Sequence, residues 1–495
     1  MKRTSLVPAF LATGFALVAI PAVAFTIVVD SGTFSKVKMT VISRDPFNNP
    51  TSQHDTEVEP ATLAYGNTMV AVFQQGRFTD GGGSDIGWAT TTDGGKTWKS
   101  GSLKGITKVQ NPKNPYDRAS DASVAYDAVH GVWLAEVLPL VSTTGQQPVV
   151  AISKDGVAWG PKPVKVAPDN GDFIDKPWIV CDNWKTSKYK GHCYIEEDDF
   201  TAGDQEYMLT STDGGKKWST PFAVPGLFGE GGQPQVQPDG TVIVCDYDIS
   251  TASIAAFTST NGGKTWGNVV TVAPVMFHGQ GGAGIRDAPL PSGAIDGAGK
   301  YYISWADCSF RSGCTADDIV YSTSTDGTTW SPVTRVPIDK TTSTVDHFIP
   351  GLVIDPTTSG SKAHIALDYY FLPNTNCTGS ACNLMAGYIS STNGGKTWSK
   401  PLTLAGPMKV TWLANTNQGY MVGDYIATAI LNHLGRPVIA AATAPKGTDL
   451  NEFTATSSAG LPAMMTPFEN SSFGDRPVYR VRNPFQRLGV PPPAI

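Results

Sequence analysis

Acidic residues recur along this chain at the start of short strand-like runs. The side chains that share this position are Glu57, Glu59, Asp121, Asp175, Asp287, Asp346 and Asp424. Such a group of carboxylates could bind Ca²⁺ through hard oxygen ligands, attract a cationic partner or carry out acid–base chemistry. The same residues could instead cap loops and bond to backbone amides of neighbouring segments. The four that we predict as metal ligands are Glu59, Asp121, Asp175 and Asp346.

Six short segments repeat one pattern, in which Ser or Thr is followed two residues later by Asp or Asn, then by Gly and a closing Trp. They span residues 91–98, 153–159, 211–218, 259–266, 324–330 and 391–398. Asp or Asn bonds to backbone N–H groups ahead of it, and Gly adopts the positive φ that a tight turn needs. Each copy follows a strand-like run, so the pattern predicts a hairpin turn rather than six catalytic sites.

The repeated turn resembles the Asp box, or BNR repeat, of the sialidase superfamily. This resemblance implies a β-propeller, an all-β ring of four-stranded antiparallel blades. The strand-like runs between the repeats favour seven blades, with six as the alternative. The run at residues 37–42 is expected to pair with the last blade and close the ring. We predict that the propeller spans residues 25–459 and that an irregular tail follows at residues 460–495.

The resemblance to sialidases also implies particular site residues. That family grips the substrate carboxylate with three arginines and uses a Tyr nucleophile and an Asp acid/base. The catalytic candidates on this comparison are Asp80, Asp85 and Tyr425. The substrate-binding candidates are Arg77, Arg118, Arg286, Asp287 and Asp424. The chain departs from the family at Val58, which occupies the slot of the first arginine.

Export is indicated by the first 24 residues. Lys2 and Arg3 precede an apolar run, and an Ala-x-Ala signal ends at Ala24, which together predict a cleaved secretory signal peptide. We therefore predict a secreted protein, extracellular or periplasmic, without a transmembrane segment. Disulfides between neighbouring cysteines fit such a compartment. The predicted pairs are Cys181–Cys193, Cys308–Cys314 and Cys377–Cys382, which leave Cys245 free.

The composition limits the classes of function. The chain has 34 Asp but only 9 Glu, a bias toward turns that excludes a coiled coil, a helical bundle and a helical solenoid. A net charge of −6 without a basic stripe argues against nucleic acid as the main partner. We therefore expect a carbohydrate or glycoconjugate partner, with no required cofactor and Ca²⁺ as the candidate ion. The sequence leaves the oligomeric state open.

Three functions fit these observations. The first is an exo-glycosidase of sialidase type, which the resemblance implies and Val58 argues against. The second is a non-catalytic propeller that binds a glycan, a metal ion or a protein at an acidic channel face. The third is a different glycan-cleaving enzyme that pairs Asp80 with Asp287 or Asp424. The first is favoured if three arginines converge on one pocket, out of Arg77, Arg118, Arg286, Arg311 and Arg335.

Overall fold

The computed structural model describes residues 26–27, 37–447 and 449–462. The predicted signal peptide and nearly all of the predicted tail lie outside these residues. Within them the fold is almost entirely β-sheet, with short 3₁₀ turns at Phe200–Ala202, Gly360–Lys362, Gly379–Ala381 and Val410–Trp412. No helix in this part of the chain is long and apolar enough to cross a membrane.

The strands pair in successive antiparallel units of four, which we number one to seven in chain order. Unit one consists of Glu57–Tyr65, Thr68–Arg77, Gly83–Thr91 and Lys99–Ser102. Unit two consists of Arg118–Asp127, Val132–Val141, Val149–Ser153 and Val164–Lys165, with Thr144–Gly145 beside its second strand. Units three and four share the long strand Phe222–Val236. The remaining strands of unit three are Ile174–Cys181, Cys193–Asp199 and Gln205–Ser211, and those of unit four are Val242–Asp248, Ser253–Ser259 and Gly267–Pro274.

The later units follow the same plan. Unit five consists of Ser292–Ile295, Tyr301–Asp307, Asp318–Ser324 and Thr334–Arg335. Unit six consists of Asp346–Ile354, Ile365–Leu372, Asn383–Ser391 and Leu402–Lys409. Unit seven consists of Ala427–Leu431, Leu434–Ala442, Glu452–Ser457 and the N-terminal Met39–Val41, with Thr26–Ile27 beyond it. A separate hairpin, Ala414–Thr416 with Gly419–Met421, lies in the connection between units six and seven.

The first strands of the units pack side by side. Each contacts the first strand of the following unit, and the first strand of unit seven contacts that of unit one. Apolar side chains fill the space between neighbouring units, as where Val70 and Ile86 of unit one pack in one cluster with Val124 and Trp133 of unit two. This arrangement is consistent with the β-propeller that the repeats predict.

The six repeated segments form the turns that follow the third strand of units one to six. In unit one, Asp93 Oδ1 accepts hydrogen bonds from the N–H groups of Lys96 and Thr97, both at 3.0 Å. The Thr91 hydroxyl accepts another from Gly95 N–H at 2.9 Å, and Trp98 is buried. Because the side chains of Asp93 and Thr91 bond to the backbone of their own turn, these hydrogen bonds give the repeat a structural role.

All three predicted disulfides are present. Cys181–Cys193 links the first two strands of unit three, while Cys308–Cys314 and Cys377–Cys382 close loops in units five and six. The seventh cysteine, Cys245, is free and buried as predicted. Three disulfides in one chain are consistent with an extracellular location.

Candidate functional site

A β-bulge interrupts the first strand of five units. The strand register shifts directly after Val58, Ser120, Asp175, Glu230 and Phe348. The residue that follows each shift has positive φ, namely Glu59, Asp121, Lys176, Gly231 and Ile349. This backbone conformation is uncommon for residues other than Gly, and a bulge re-aims the side chain it carries. In units one to three the bulge residue is charged, so the distortion positions three charged groups.

Lys176 lies among four carboxylates. Its Nζ is 3.0 Å from Asp424, 3.5 Å from both Asp121 and Asp175, and 3.9 Å from Glu230. These partners come from four different units or their entry loops, and the lysine itself is buried. Burial alone would lower the pKa of Lys176, but the surrounding carboxylates raise it well above its usual value, so the ammonium stays charged.

Arg286 and Glu59 complete the surroundings of Asp424. The Arg286 guanidinium binds both carboxylate oxygens of Asp424, with an Nε–Oδ1 distance of 2.8 Å. Glu59 accepts a hydrogen bond from the backbone N–H of Asp424 at 3.0 Å. Gln74 donates to Glu59 and also accepts a hydrogen bond from Arg77 at 2.8 Å.

These side chains form one group, which we call the central charged cluster. Its members are Glu59, Arg77, Asp121, Asp175, Lys176, Glu230, Arg286 and Asp424. The group contains three cations and five carboxylates. Lys176 and Arg286 form ion pairs within it, whereas Arg77 is linked to Glu59 through Gln74. The sequence predicted six of the eight members as site residues.

The carboxylates of the cluster have opposite pKa shifts. Burial, with the charges of Asp121 and Asp424, raises the pKa of Glu59 to about 8. Burial likewise raises the pKa of Glu230 to about 7, although Lys176 opposes the shift. Burial would also raise the pKa of Asp424, yet Arg286 and Lys176 hold it well below its usual value. When the pKa values of neighbouring carboxyl groups differ in this way, one group can act as a proton donor at a pH at which the other is a permanent anion.

Only part of the cluster meets solvent. The side chain of Glu230 is 19% exposed, that of Asp175 12% and that of Arg286 11%. Lys176, Asp121 and Asp424 are almost fully buried beneath them. A ligand would therefore meet Glu230, Asp175 and Arg286 first.

Of the catalytic candidates taken from the sialidase resemblance, Asp80 and Asp85 lie outside the central charged cluster. Tyr425 borders the cluster, because it directly follows Asp424 and feels the charges of Glu59 and Asp121. Asp80, with a side chain 55% exposed, pairs with Arg118, whose guanidinium also stacks 4.1 Å above the Phe78 ring. Asp85 is buried, and its Oδ1 accepts a hydrogen bond from Ile86 N–H at 2.9 Å. Tyr425 packs edge-on against Trp178 and donates its hydroxyl to a backbone carbonyl, Ala122 O, at 3.3 Å.

The arginines do not converge as a triad. Arg77 and Arg286 share the central charged cluster, but Arg118 is held by Asp80. Arg311 and Arg335 both bind Asp318 and Asp339 in unit five. Val58, which the sialidase resemblance sets in the slot of that family's first arginine, is fully buried in an apolar contact with Ala414 and Met421. The described residues thus bring two arginines and one lysine together, and of these Arg286 and Lys176 form ion pairs with Asp424.

The four residues predicted as metal ligands lie at two places. Glu59, Asp121 and Asp175 belong to the central charged cluster, where the Lys176 ammonium supplies the positive charge that Ca²⁺ would bring. Asp346 belongs to a separate group with His278 and Asp317, whose ligand atoms lie within 4.8 Å of one another. Asp287 lies next to this second group and accepts a hydrogen bond from Gln280 N–H at 3.1 Å.

The second group is held by hydrogen bonds of its own. The two carboxylate oxygens of Asp317 accept the N–H groups of His278 and Gly279, and Asp346 accepts Asp317 N–H at 2.6 Å. A third set, Asp318, Asp339 and His347, also has ligand atoms this close, but Arg311 and Arg335 occupy its carboxylates. Imidazole is a poor ligand for Ca²⁺, which prefers oxygen. Both sets are therefore better explained by hydrogen bonds and ion pairs than by calcium.

Sequence reasoning missed Lys176 and Glu230. Lys176 directly follows a predicted site residue, and an alternating strand would turn it away from Asp175. Glu230 lies in a glycine-rich stretch, residues 229–232, that reads as a turn but forms the middle of a strand. The sequence did offer one signal for Glu230, namely that glutamate is rare in this chain, so each glutamate was worth considering as a site residue.

Comparison with known proteins gives structural likenesses at low identity. No protein-family model and no curated protein matches the chain. The NanB sialidase from Streptococcus pneumoniae is 15% identical over 81% of this chain and 67% of its own, with a TM-score of 0.40. A family PL25 ulvan lyase, bound to a GlcA(1-4)Rha3S glycan, is 11% identical over 86% of this chain and 96% of its own, with a TM-score of 0.49. A protein of unknown function from Dyadobacter fermentans is 16% identical over 72% of this chain and 99% of its own, with a TM-score of 0.45.

Proposed function

We propose that this protein is a secreted seven-bladed β-propeller that hydrolyses a neutral glycan at the central charged cluster. Each of the seven four-stranded units would be one blade, and the N-terminal strand Met39–Val41 would complete the last of them. The closed circuit of contacts between first strands supports this architecture, because a ring removes exposed sheet edges. The disulfides and the signal-like N-terminus support export.

The observation that supports this activity most directly is the difference in pKa among the carboxyl groups that contact Lys176. Glu230, with its pKa near 7, can carry a proton at neutral pH, whereas Asp424 stays ionised. In glycoside hydrolysis one carboxyl group protonates the departing oxygen and another assists the incoming water. Glu230 and Asp175 are the two carboxyl groups of the cluster with the most exposed side chains.

The proposed reaction assigns one task to each group. Glu230 donates its proton to the glycosidic oxygen as the bond from that oxygen to the anomeric carbon breaks. A water molecule adds to the anomeric carbon and gives its proton to Asp175, whose pKa burial raises. Asp424, held ionised by Arg286 and Lys176, would keep these two cations in place beside the reacting carboxyl groups.

A neutral sugar suits this cluster better than a sialic acid. Recognition of a substrate carboxylate requires arginines with a free bidentate face. Arg286 already binds Asp424 in this way, and Arg118 is held at Asp80. Sugar hydroxyls, which both donate and accept hydrogen bonds, can instead bond to Glu230, Asp175 and Arg286 together.

Glu230→Gln should lower turnover by at least about a hundredfold, since general acid catalysis contributes that much or more. The wild-type rate should fall as pH rises through about 7, because Glu230 then loses its proton. The measurement is release of product from a panel of neutral aryl glycosides and oligosaccharides, with an aryl sialoside in parallel. Asp239→Asn, at an exposed turn, is the matched control and should keep the wild-type rate.

Other outcomes of this assay would contradict the proposal. Cleavage of the sialoside alone would reject the neutral substrate. Loss of turnover in Asp80→Asn but not in Glu230→Gln would place the chemistry at the Asp80–Arg118 pair. Binding of a glycan by calorimetry without any turnover would favour the second candidate function, a non-catalytic glycan-binding propeller. The near-complete burial of Lys176, Asp121 and Asp424 is the observation that favours this second candidate.

A further inference from the structure

The glutamates of this chain lie in its interior. Eight of the nine are in the described residues. Seven of these are buried, namely Glu57, Glu59, Glu136, Glu196, Glu197, Glu206 and Glu452, and Glu230 is half-buried. Glutamate is almost never fully buried unless it is paired with a cation. The placement is therefore the reverse of the usual one and calls for a physical explanation.

Three of the interior carboxyl groups meet where unit three packs on unit four. Glu196 and Glu206 come from the second and third strands of unit three, and Asp246 comes from the second strand of unit four. All three residues are 0% exposed. The Glu206 carboxyl lies within hydrogen-bonding reach of both Glu196 and Asp246. We call this group the carboxyl trio.

The shared strand leaves room for the carboxyl trio. A Cβ atom added at Gly229 would collide with the Asp246 carboxylate, and one added at Gly232 would lie 2.8 Å from Glu196 Oε1. Gly232 N–H donates to that same oxygen at 3.3 Å. Because Gly229 and Gly232 have no side chains, the carboxyl groups of Asp246 and Glu196 can pack directly against the backbone of the shared strand.

Few donors in the described structure reach the carboxyl trio. Neither oxygen of Glu206 has an N–H or O–H partner, and Glu196 Oε2 and Asp246 Oδ2 also have none. Among the described residues, no ion pair of 4.0 Å or less involves any of the three. Buried carboxylate oxygens without a donor are costly, whereas a carboxylic acid donates its own proton to a neighbour. Protons on the trio would therefore supply the missing hydrogen bonds.

The groups around the carboxyl trio add no compensating positive charge. The titratable groups that act on it are Glu197 and Asp198 from the strand of Glu196, Glu136 from unit two, Asp248 from the strand of Asp246, Glu230 from the shared strand, and Tyr301 and Cys245 beyond Asp246. The nearest cation among these contacts, Lys176, acts on Asp198 and already serves four carboxylates. Ionisation of the trio would place like charges together in a water-free interface.

We propose that the carboxyl trio is a pH-sensitive latch between units three and four, closed by its own protons, and that this protein is built for acidic surroundings. In acid, Glu206 joins Glu196 to Asp246 through carboxyl–carboxyl hydrogen bonds. As pH rises, the protons leave, the carboxylates repel one another, and the interface between the two units loosens. The latch does not depend on the function proposed for the central charged cluster.

The direction of the pH effect follows from linkage. Burial raises the pKa of Asp246 to about 7, and raises the pKa of Glu196 and Glu206 well above their usual values. Such groups bind more protons in the folded than in the unfolded state. Their contribution to stability is therefore complete below the unfolded pKa, near 4, and is lost as pH rises through the folded values. Other interior glutamates, such as Glu197 with a pKa of about 8, act in the same direction.

The test compares melting temperatures from pH 4.5 to pH 8.5 for the wild type, Glu206→Gln and Asp239→Asn. The wild-type Tm should fall as pH rises. Glu206→Gln keeps the shape of the side chain but cannot ionise, so its Tm should exceed that of the wild type by at least about 2 °C at pH 8.5. At pH 4.5 it should equal the wild type or lie below it. Asp239→Asn, on the surface, should follow the wild-type curve throughout.

A second measurement avoids dependence on one variant. The measurement is hydrogen exchange of the wild type, corrected for intrinsic rates. As pH rises, the backbone amides of Gln205–Ser211 and Val242–Asp248 should lose protection at a lower pH than those of unit six. Parallel melting curves for the wild type and Glu206→Gln, or uniform exchange over all units, would overturn the latch. A chelator that lowers the wild-type Tm at pH 7.5 but not at pH 4.5 would also overturn it, because a bound cation would then replace the protons.

Discussion

Lys176→Met should destabilise the folded protein by about 3–5 kcal/mol at pH 7.5, the cost of leaving buried charges without their partner. The ammonium lies within 4 Å of Asp121, Asp175, Glu230 and Asp424, and only Asp424 retains another cation, Arg286, in the variant. Methionine fills nearly the same volume and is no less suited to positive φ, so the loss of charge is the main change. Urea denaturation followed by tryptophan fluorescence measures the free energy of unfolding.

The destabilisation caused by Lys176→Met should become smaller as pH falls. Without the ammonium, the pKa values of Asp175 and Glu230, which burial already raises, rise further, so these groups take up protons as pH falls and cease to repel. The variant should therefore approach the wild type in acid. Lys104→Met, at an exposed position, is the control and should cost less than about 1 kcal/mol. A cost below about 1 kcal/mol for Lys176→Met at pH 7.5 would show that water, and not Lys176, neutralises the cluster.

Arg311→Met should be the other strongly destabilising change, by about 3 kcal/mol. Arg311 and Asp318 are both fully buried, with a distance of 2.6 Å between Nη2 and Oδ1. Burial would raise the pKa of Asp318, but its bonds to Arg335 and Arg311 hold it below the usual value. Arg335 remains in the variant at 2.7 Å and limits the loss. The Cys308–Cys314 disulfide closes the loop that contains Arg311.

The pH dependence of this second variant separates it from a simple packing defect. A carboxylate with a lowered pKa stabilises the fold above its unfolded pKa, and that stabilisation is lost as pH falls. The difference in the free energy of unfolding between Arg311→Met and the wild type should therefore become smaller below about pH 4. Asp80→Asn removes an ion pair whose carboxylate is exposed, and it should cost less than about 1 kcal/mol. Equal losses in Arg311→Met and Asp80→Asn would contradict the assignment of the buried pair.

The turns, the disulfides and the order of strands were predictable from sequence because each depends on nearby residues. The hydrogen bonds of Asp93 and Thr91 stay within one turn, and Cys308 and Cys314 are only 6 residues apart. The predicted N-terminal strand also pairs with the last unit. The sequence placed Asp287 at the start of a strand-like run, but the first strand of unit five begins a few residues later, at Ser292, because Arg286 and Asp287 lie in an irregular segment.

Which residues form the site was harder to predict from the sequence, because a β-bulge determines which side chains point into it. A shift of one residue in a strand exchanges the side chains on its two faces. Asp175 and Lys176 are neighbours in sequence, yet the bulge lets both contact the same carboxylate-rich space. Asp80 and Arg118 satisfied the sequence pattern equally well, but they pair with each other on the surface. No local signal distinguishes these cases, since the difference lies in backbone dihedrals and in contacts between distant units.

The strand that completes unit seven has a consequence for how the chain can fold. Thr40 and Ser458, separated by 418 residues, hold their hydroxyl oxygens 2.7 Å apart. A ribosome or an export channel that releases the N-terminus first must therefore leave Met39–Val41 without its partner in unit seven until Glu452–Ser457 has emerged. Contacts between such distant residues are slow to form, because a long loop must close first. The early units can assemble against one another in the meantime, whereas unit seven is completed only when Met39–Val41 pairs with Glu452–Ser457.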